Sequence, residues 1–267
     1  MRVTDVLTYV VFHLLFVVPA LAAVAVLRRV RGLDEWTRTL KLGTPIVVLL
    51  AVAYTTPWDN YLISRGVWTY GDGTVFARLW LAPVEEYAFF VLQSVLAALW
   101  VGSLGIVDVS TARISRRQRV VGALAAAAVT ALGLAWVLQG GQTLYLGAIL
   151  AWAGPVLGIQ WAFGWTVLVR ARKTFLLGVL APTLYLCVVD RVAIEAGVWS
   201  ISEAYTTGVF VLGLPVEEGL FFLVTNVFVV QSLVLLRWVY AAPAAAVPAP
   251  LRRFVRLKLT RGESVPR

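Results

Sequence analysis

Pro83-Val84-Glu85-Glu86-Tyr87-Ala88-Phe89-Phe90 and Pro215-Val216-Glu217-Glu218-Gly219-Leu220-Phe221-Phe222 decide how this chain is read. Each sets two adjacent acids at the opening of a long apolar run, and the pattern occurs twice. A carboxylate in lipid is costly unless paired, hydrated or protonated, so an acid inside a membrane segment marks a functional site by default. The rest of the chain fits that setting. Its 267 residues are 60% hydrophobic and 14% charged, with mean hydropathy +0.85. A soluble domain is nearer ~45–50% apolar and ~25% charged. An all-α polytopic membrane protein is expected.

Working outward, seven spans run approximately Val6–Leu27, Leu42–Asn60, Trp80–Ser103, Val120–Leu138, Leu144–Val169, Thr174–Arg191 and Gly208–Leu236. Each is near the ~20 residues that cross a bilayer. Arg28, Arg29, Arg31, Arg38 and Lys41 follow the first span, and Arg113, Arg116, Arg117 and Arg119 the third. Arg170, Arg172 and Lys173 follow the fifth, and Arg237, Arg252, Arg253, Arg256, Lys258 and Arg261 the last. The other connections are poor in Lys and Arg. Basic loops stay cytoplasmic, so a multi-pass cell-membrane protein with its N-terminus outside and its C-terminus cytoplasmic is expected.

The same loops account for the formal charge of +9. No basic face interleaved with aromatics forms a soluble module, so no nucleic-acid partner is expected. Ala20-Leu21-Ala22 resembles a cleavage site, but Arg2 is offset by Asp5 and the apolar run continues to Leu27. The first span is therefore expected to be retained. Cys187 stands alone, which excludes an intrachain disulfide or a cysteine metal site. Beyond an Ala/Pro-rich linker from Pro243 to Pro250, Leu251, Phe254, Val255, Leu257 and Leu259 alternate with basic residues. That stretch is either an interfacial helix on an anionic leaflet or an unstructured basic end.

The acid motifs belong to a larger duplication. Asp59-Asn60-Tyr61-Leu62-Ile63-Ser64-Arg65-Gly66-Val67-Trp68 aligns without gaps to Asp190-Arg191-Val192-Ala193-Ile194-Glu195-Ala196-Gly197-Val198-Trp199. One inserted residue later the Pro-Val-Glu-Glu motifs coincide. Residues 1–104 and 144–236 thus read as three-helix repeats, 105–143 as a linking helix with its loops, and 237–267 as a basic tail. The intervening span gives both repeats one orientation, so the repeat is parallel, about an axis near the membrane normal. The halves differ: Tyr87-Ala88 becomes Gly219-Leu220, and Ser64-Arg65 becomes Glu195-Ala196. One site between the repeats and two unequal sites are both compatible with that.

Pro83 and Pro215 suit a first helical turn, and acids there favour the positive helix end, which would make these Glu residues plain helix starts at the interface. The preceding Leu79-Trp80-Leu81-Ala82 and Val211-Leu212-Gly213-Leu214 argue instead for submerged acids. Helical spacing sets Phe89 on the face of Glu85, Phe90 on that of Glu86, Phe221 on that of Glu217 and Phe222 on that of Glu218. Apolar surroundings and an adjacent acid both favour a neutral carboxyl, which can deliver a proton. Aromatic faces stabilise the carbocation that protonation creates. A lipophilic alkene is the substrate such a site suits.

The duplicated Pro-x-Glu-Glu-x-x-Phe-Phe motif, the preceding Asp…Gly-Val-Trp segments and the layout of three spans, one span and three spans resemble the integral-membrane lycopene cyclases. These occur as paired short subunits or as fused chains, and this chain is similar to the fused form over nearly its whole length. The resemblance implies redox-neutral cyclisation of lycopene to β-carotene through γ-carotene. It gives the acid role to Glu85, Glu86, Glu217 and Glu218 without choosing between neighbours. It makes Asp59 and Asp190 bases or partners, and Trp68, Trp199, Phe89, Phe90, Phe221 and Phe222 cation stabilisers against the substrate. Other carotenoid-biosynthesis enzymes are then potential partners alongside the lipid bilayer.

No G-x-G-x-x-G follows a strand, so no flavin is expected, nor a metal. His13 is expected as a hydrogen-bonded packing residue rather than a proton relay. A retinal protein needs a lysine in its last span, and Lys41, Lys173 and Lys258 all fall in cytoplasmic segments. A proton-coupled carrier also uses intramembrane acids and repeats, but no polar pathway is evident. A cyclase of fifty-carbon carotenoids stays open.

Overall fold

The computed structural model describes residues 7–33, 36–105 and 109–241. Both expectations for the tail beyond Ala241 lie outside the described residues. Among the described residues seven helices are long and apolar enough to cross a membrane: α1 Tyr9–Val30, α2 Thr37–Ser64, α3 Val84–Val101, α4 Arg116–Gln139, α5 Leu144–Arg170, α6 Arg172–Glu195 and α7 Val216–Ala241. The chain is an all-α, multi-pass membrane protein.

Local sequence explains the helix ends and irregularities. Thr8 caps α1 by accepting from the Val11 amide. Residues His13–Val17 widen into a π-helical turn just ahead of Pro19. Pro19 has no N–H to give and its ring crowds the carbonyl four residues back, so a wider turn relieves both defects. α4 starts at a reciprocal capping box between Ser115 and Gln118. α5 kinks at Gly164, whose φ of −170° and ψ of 39° leave the helical region.

Short strands close one end of the bundle. β1 (Trp68–Tyr70) and β4 (Trp199–Ile201) pair antiparallel, with Trp68 opposite Ile201, Thr69 opposite Ser200 and Tyr70 opposite Trp199. The Thr69 and Ser200 hydroxyl oxygens lie 2.7 Å apart at its centre. Two like segments paired antiparallel are related by a half-turn through that centre. The same relation recurs elsewhere. Gly71 N donates to Val198 O at 3.1 Å, and Ser202 N to Val67 O at 2.9 Å. The Tyr54 hydroxyl donates to Trp152 O at 2.8 Å, and the Tyr185 hydroxyl to Phe16 O at 2.7 Å.

Two hairpins correct the expected starts of the third and seventh spans. Residues from Trp80 and from Gly208 were expected to be helical. Instead β2 (Arg78–Leu79) pairs with β3 (Ala82–Pro83), and β5 (Phe210–Val211) with β6 (Leu214–Pro215). Trp80 (φ 58°), Leu212 (φ 51°) and Gly213 (φ 79°) take left-handed conformations that fold the chain back on itself. Nor do the prolines sit in the first helical turn: Pro83 is the extended N-cap of α3, with ψ 148°, and Pro215 belongs to β6.

Two packed layers make the core. Nearer the strands it gathers Tyr9, Phe12, Leu62, Trp68, Phe89, Tyr145, Trp152 and Phe221. Towards the opposite end it gathers Trp36, Ala97, Val101, Val230, Leu233 and Trp238. α4 lies close along α5 through glycines: a Cβ on Gly133 would collide with Ala151 N, and one on Gly147 would come 2.7 Å from Val137 N. Small residues of this kind let membrane helices approach backbone to backbone.

Candidate active site

The chain around each hairpin fixes the first turn of α3 and α7. Val84 N donates to Ala77 O at 2.9 Å, and Val216 N to Val209 O at 3.0 Å. Adjacent residues on a helix point about 100° apart, so the two acids of each pair go different ways. The first acid of each pair turns back to the loop ahead of it. Glu85 Oε1 accepts from Phe76 N at 2.6 Å. Glu217 Oε1 accepts from Thr207 N at 2.7 Å and from its hydroxyl at 2.8 Å.

The second acids turn inward. Glu86 Oε2 accepts from the Tyr9 hydroxyl at 2.6 Å and the Tyr70 hydroxyl at 3.3 Å. Glu218 Oε1 accepts from the Tyr145 hydroxyl at 2.7 Å and from Trp68 Nε1 at 3.2 Å. Tyr70 lies between spans, where burial first and the Glu86 carboxylate second hold its hydroxyl well above the ordinary phenol range. It therefore stays a donor at neutral pH.

Glu86 and Glu218 share one chamber with Asp190, Trp68, Trp199, Phe89, Phe221 and Phe222. Its volume is about 30 Å³, room for about two waters. Asp190 Oδ1 accepts from Trp199 Nε1 at 3.0 Å, and its Oδ2 has no hydrogen-bond partner among the described residues. Asp59 is fully buried, and neither carboxyl oxygen has a partner among the described residues. It stands behind the wall rather than in it, within Coulombic reach of Glu86. Phe90 faces away, into a separate cavity.

The arrangement is not symmetric. Trp68 reaches across to Glu218, whereas its sequence counterpart Trp199 stays on Asp190 and packs its ring 4.8 Å from that of Tyr9. The residues that sequence reasoning missed are Tyr9, Tyr70 and Tyr145, which hold the acids, and Trp58, which stacks 5.6 Å from Phe221. Extending the repeat upstream would have found two of them. Tyr9 and Tyr145 stand at corresponding places on α1 and α5, each ahead of a proline at matching spacing, Pro19 and Pro155. His13 is a packing residue between Tyr9, Phe12 and Phe89, but its Nε2 has no hydrogen-bond partner among the described residues.

Chemically, the chamber offers carboxyl groups held by phenol and indole donors, a further acid, and walls of aromatic faces. That set can transfer a proton to an apolar substrate and stabilise a cation.

The chain is 49% identical over 234 residues to the lycopene beta-cyclase of Halobacterium salinarum, covering 88% of this chain and 98% of that protein. It is 36% identical over 194 residues to the bifunctional lycopene cyclase/phytoene synthase of Gibberella fujikuroi, covering 70% of this chain and 33% of the relative. The like-named protein of Aspergillus niger is 32% identical over 260 residues, covering 92% of this chain and 44% of the relative. No solved structure matches the chain. The lycopene cyclase family model matches residues 6–102 and 142–236. The acid chamber draws its walls from both matched segments, and the protein belongs to the lycopene cyclase family.

Proposed function

We propose that the protein is a lycopene β-cyclase, an isomerase that closes the ψ-ends of lycopene to give β-carotene by way of γ-carotene. The observation that carries this is the single aromatic-walled chamber shared by Glu86 and Glu218. A neutral carboxyl there adds its proton to the terminal double bond of a ψ-end. The tertiary cation so formed is attacked by the internal double bond, which closes a six-membered ring and moves the positive charge into it. Loss of a ring proton to a carboxylate restores a double bond. The formula of the substrate is unchanged, and no oxidant or reductant is consumed.

We assign proton delivery to Glu86 and Glu218, and cation stabilisation to Trp68, Trp199, Phe89, Phe221 and Phe222. Asp190, which lines the chamber and whose Oδ2 has no hydrogen-bond partner among the described residues, is our candidate base, and Asp59 is its buried counterpart beside Glu86. Glu85 and Glu217 fix the first turns that aim their neighbours. At about 30 Å³ the chamber is smaller than a ring, so a ψ-end enters by displacing aromatic side chains.

We read residues 1–104 and 144–236 as the repeats, 105–143 as their link and 237–267 as a basic tail. The two family-matched segments and the half-turn at Thr69 and Ser200 support this division. The charge pattern supports a cell-membrane protein with its N-terminus outside and its C-terminus in the cytoplasm. The lipid bilayer delivers the substrate, and other carotenoid-biosynthesis enzymes are the natural neighbours.

Pigment chromatography of lycopene-accumulating bacteria that express this chain is the test. β-Carotene is expected. Unchanged lycopene, with the protein confirmed in the membrane, would remove the assignment and turn attention to fifty-carbon carotenoids or to transport.

A further inference from the structure

Beside the acid chamber lies a second space of about 330 Å³. That volume is within the range of small-molecule sites. Its wall comes from four helices, two of which, α3 and α7, also line the acid chamber with residues nearer their N-terminal ends. On α7 the wall runs from Thr225 to Ser232 and on α3 from Phe90 to Ser94, whereas the acids Glu218 and Glu86 sit ahead of both. α2 contributes Thr55 back to Val47, below Asp59, and α5 contributes Trp152 to Gln160, below Tyr145. At about 1.5 Å per residue, the space begins about 6–10 Å below the acids and reaches about 21 Å below them.

Its lining is apolar and aromatic. Several polar groups in the wall are bonded within it: the Gln93 amide donates to Thr225 in a close hydrogen bond, and the Gln160 amide donates to Ser232 Oγ and Phe228 O, each at 2.9 Å, while Gln160 Oε1 has no partner among the described residues. Leu50 and Ile159 stand at its rim, 61% and 73% exposed, so it opens sideways towards lipid. Aromatic rings separate it from the acid chamber. Trp152 belongs to this space and Phe221 to the chamber, with their centroids 6.3 Å apart and Trp58 stacked on both.

We propose that this lateral cavity binds the polyene chain of the carotenoid, so that the substrate lies along the bundle with one ψ-end at the acids and its conjugated chain below them. The assignment rests on the cyclase reading and deepens it. The shape suits a long, rigid hydrocarbon better than a branched or polar ligand, and the lipid-side rim is an entry that never exposes the substrate to water. A phospholipid acyl chain has the same chemistry and is the competing occupant.

Ala51 and Val47, on the α2 wall, allow the space to be filled without touching the acids. Lycopene is titrated against purified Glu86→Gln/Glu218→Gln, with and without Ala51→Phe, by the shift of its absorption band. KM and kcat are measured for Ala51→Phe on the wild-type background. We expect lycopene binding to weaken, and KM to rise, by about tenfold or more, as the loss of one well-buried apolar contact region implies. Should Ala51→Phe not fold, Val47→Phe fills the same wall and carries the same expectation. Unchanged lycopene affinity and KM in a folded filled variant overturns the proposal. So does phospholipid that copurifies with the wild type and is lost on filling while lycopene affinity stays the same. If wild type makes no cyclic product but lycopene binding still depends on Ala51, the cyclase reading fails and the cavity assignment stands.

Discussion

At the scale of single residues, neighbouring glutamates divide the work. Among the described residues Glu86 and Glu218 accept from tyrosine and tryptophan side chains, while Glu85 and Glu217 hold backbone amides of the preceding loops. Glu86→Gln and Glu218→Gln are expected to lower turnover by at least about 10²-fold, the usual worth of a positioned general acid. Glu85→Gln keeps the accepting oxygen that Phe76 N needs, and is expected to retain most activity. Comparing initial rates of the three variants in membranes checks this. Tyr9→Phe and Tyr145→Phe each remove one donor to an acid and are expected to lower kcat by about 10- to 100-fold, since a hydrogen bond to a group that becomes charged as it gives up its proton is worth about 1.5–3 kcal/mol. Wild-type kcat in both would show that the phenols only pack. The paired acids and their aromatics were legible because they repeat in sequence. Which acid of each pair faces the chamber was not, because that depends on the amides of Phe76 and Thr207, which hydropathy does not register.

At the scale of elements, the hairpins ahead of α3 and α7 aim the acids. Their turns hold Trp80 and Leu212 in left-handed backbone, and Gly213 beside Leu212 stands at φ 79°. Gly213→Ala is expected to destabilise by about 1–2 kcal/mol, because that conformation crowds a Cβ and the new methyl would come 2.7 Å from Arg191 Nε. A thermal melt in detergent reads it, and an unchanged melting temperature would mean that the turn has relaxed. Gly133→Leu is expected to cost more, since its side chain has no room beside the Ala151 backbone on α5. In sequence these hairpins look like helix because their residues are as apolar as the spans they precede. Phe76, Trp80, Phe210 and Leu212 are 85%, 70%, 52% and 96% exposed, so apolar character here follows the surroundings and not the local backbone.

For the whole molecule, a half-turn relates the strand pair at Thr69 and Ser200 and the tyrosine contacts of Tyr54 and Tyr185. The chamber breaks that relation at Trp68 and Trp199. The duplication was legible from Asp59 to Trp68 and from Asp190 to Trp199. The choice between one shared site and two was not, because it depends on which side chains cross the axis. Orientation is open to a direct check. With Cys187→Ala as background, an impermeant maleimide added to intact cells is expected to label Asp72→Cys and to spare Arg117→Cys. The reverse pattern would invert the topology. The central claim is that buried acids on α3 and α7 start ring closure by giving a proton to the substrate. Mass spectrometry of product formed from lycopene in heavy water tests it most directly, with purified wild type beside Glu86→Gln/Glu218→Gln. We predict β-carotene carrying one deuterium per ring from the wild type and no cyclic product from the double variant. Cyclic product without deuterium, or undiminished cyclisation by the double variant, would contradict it.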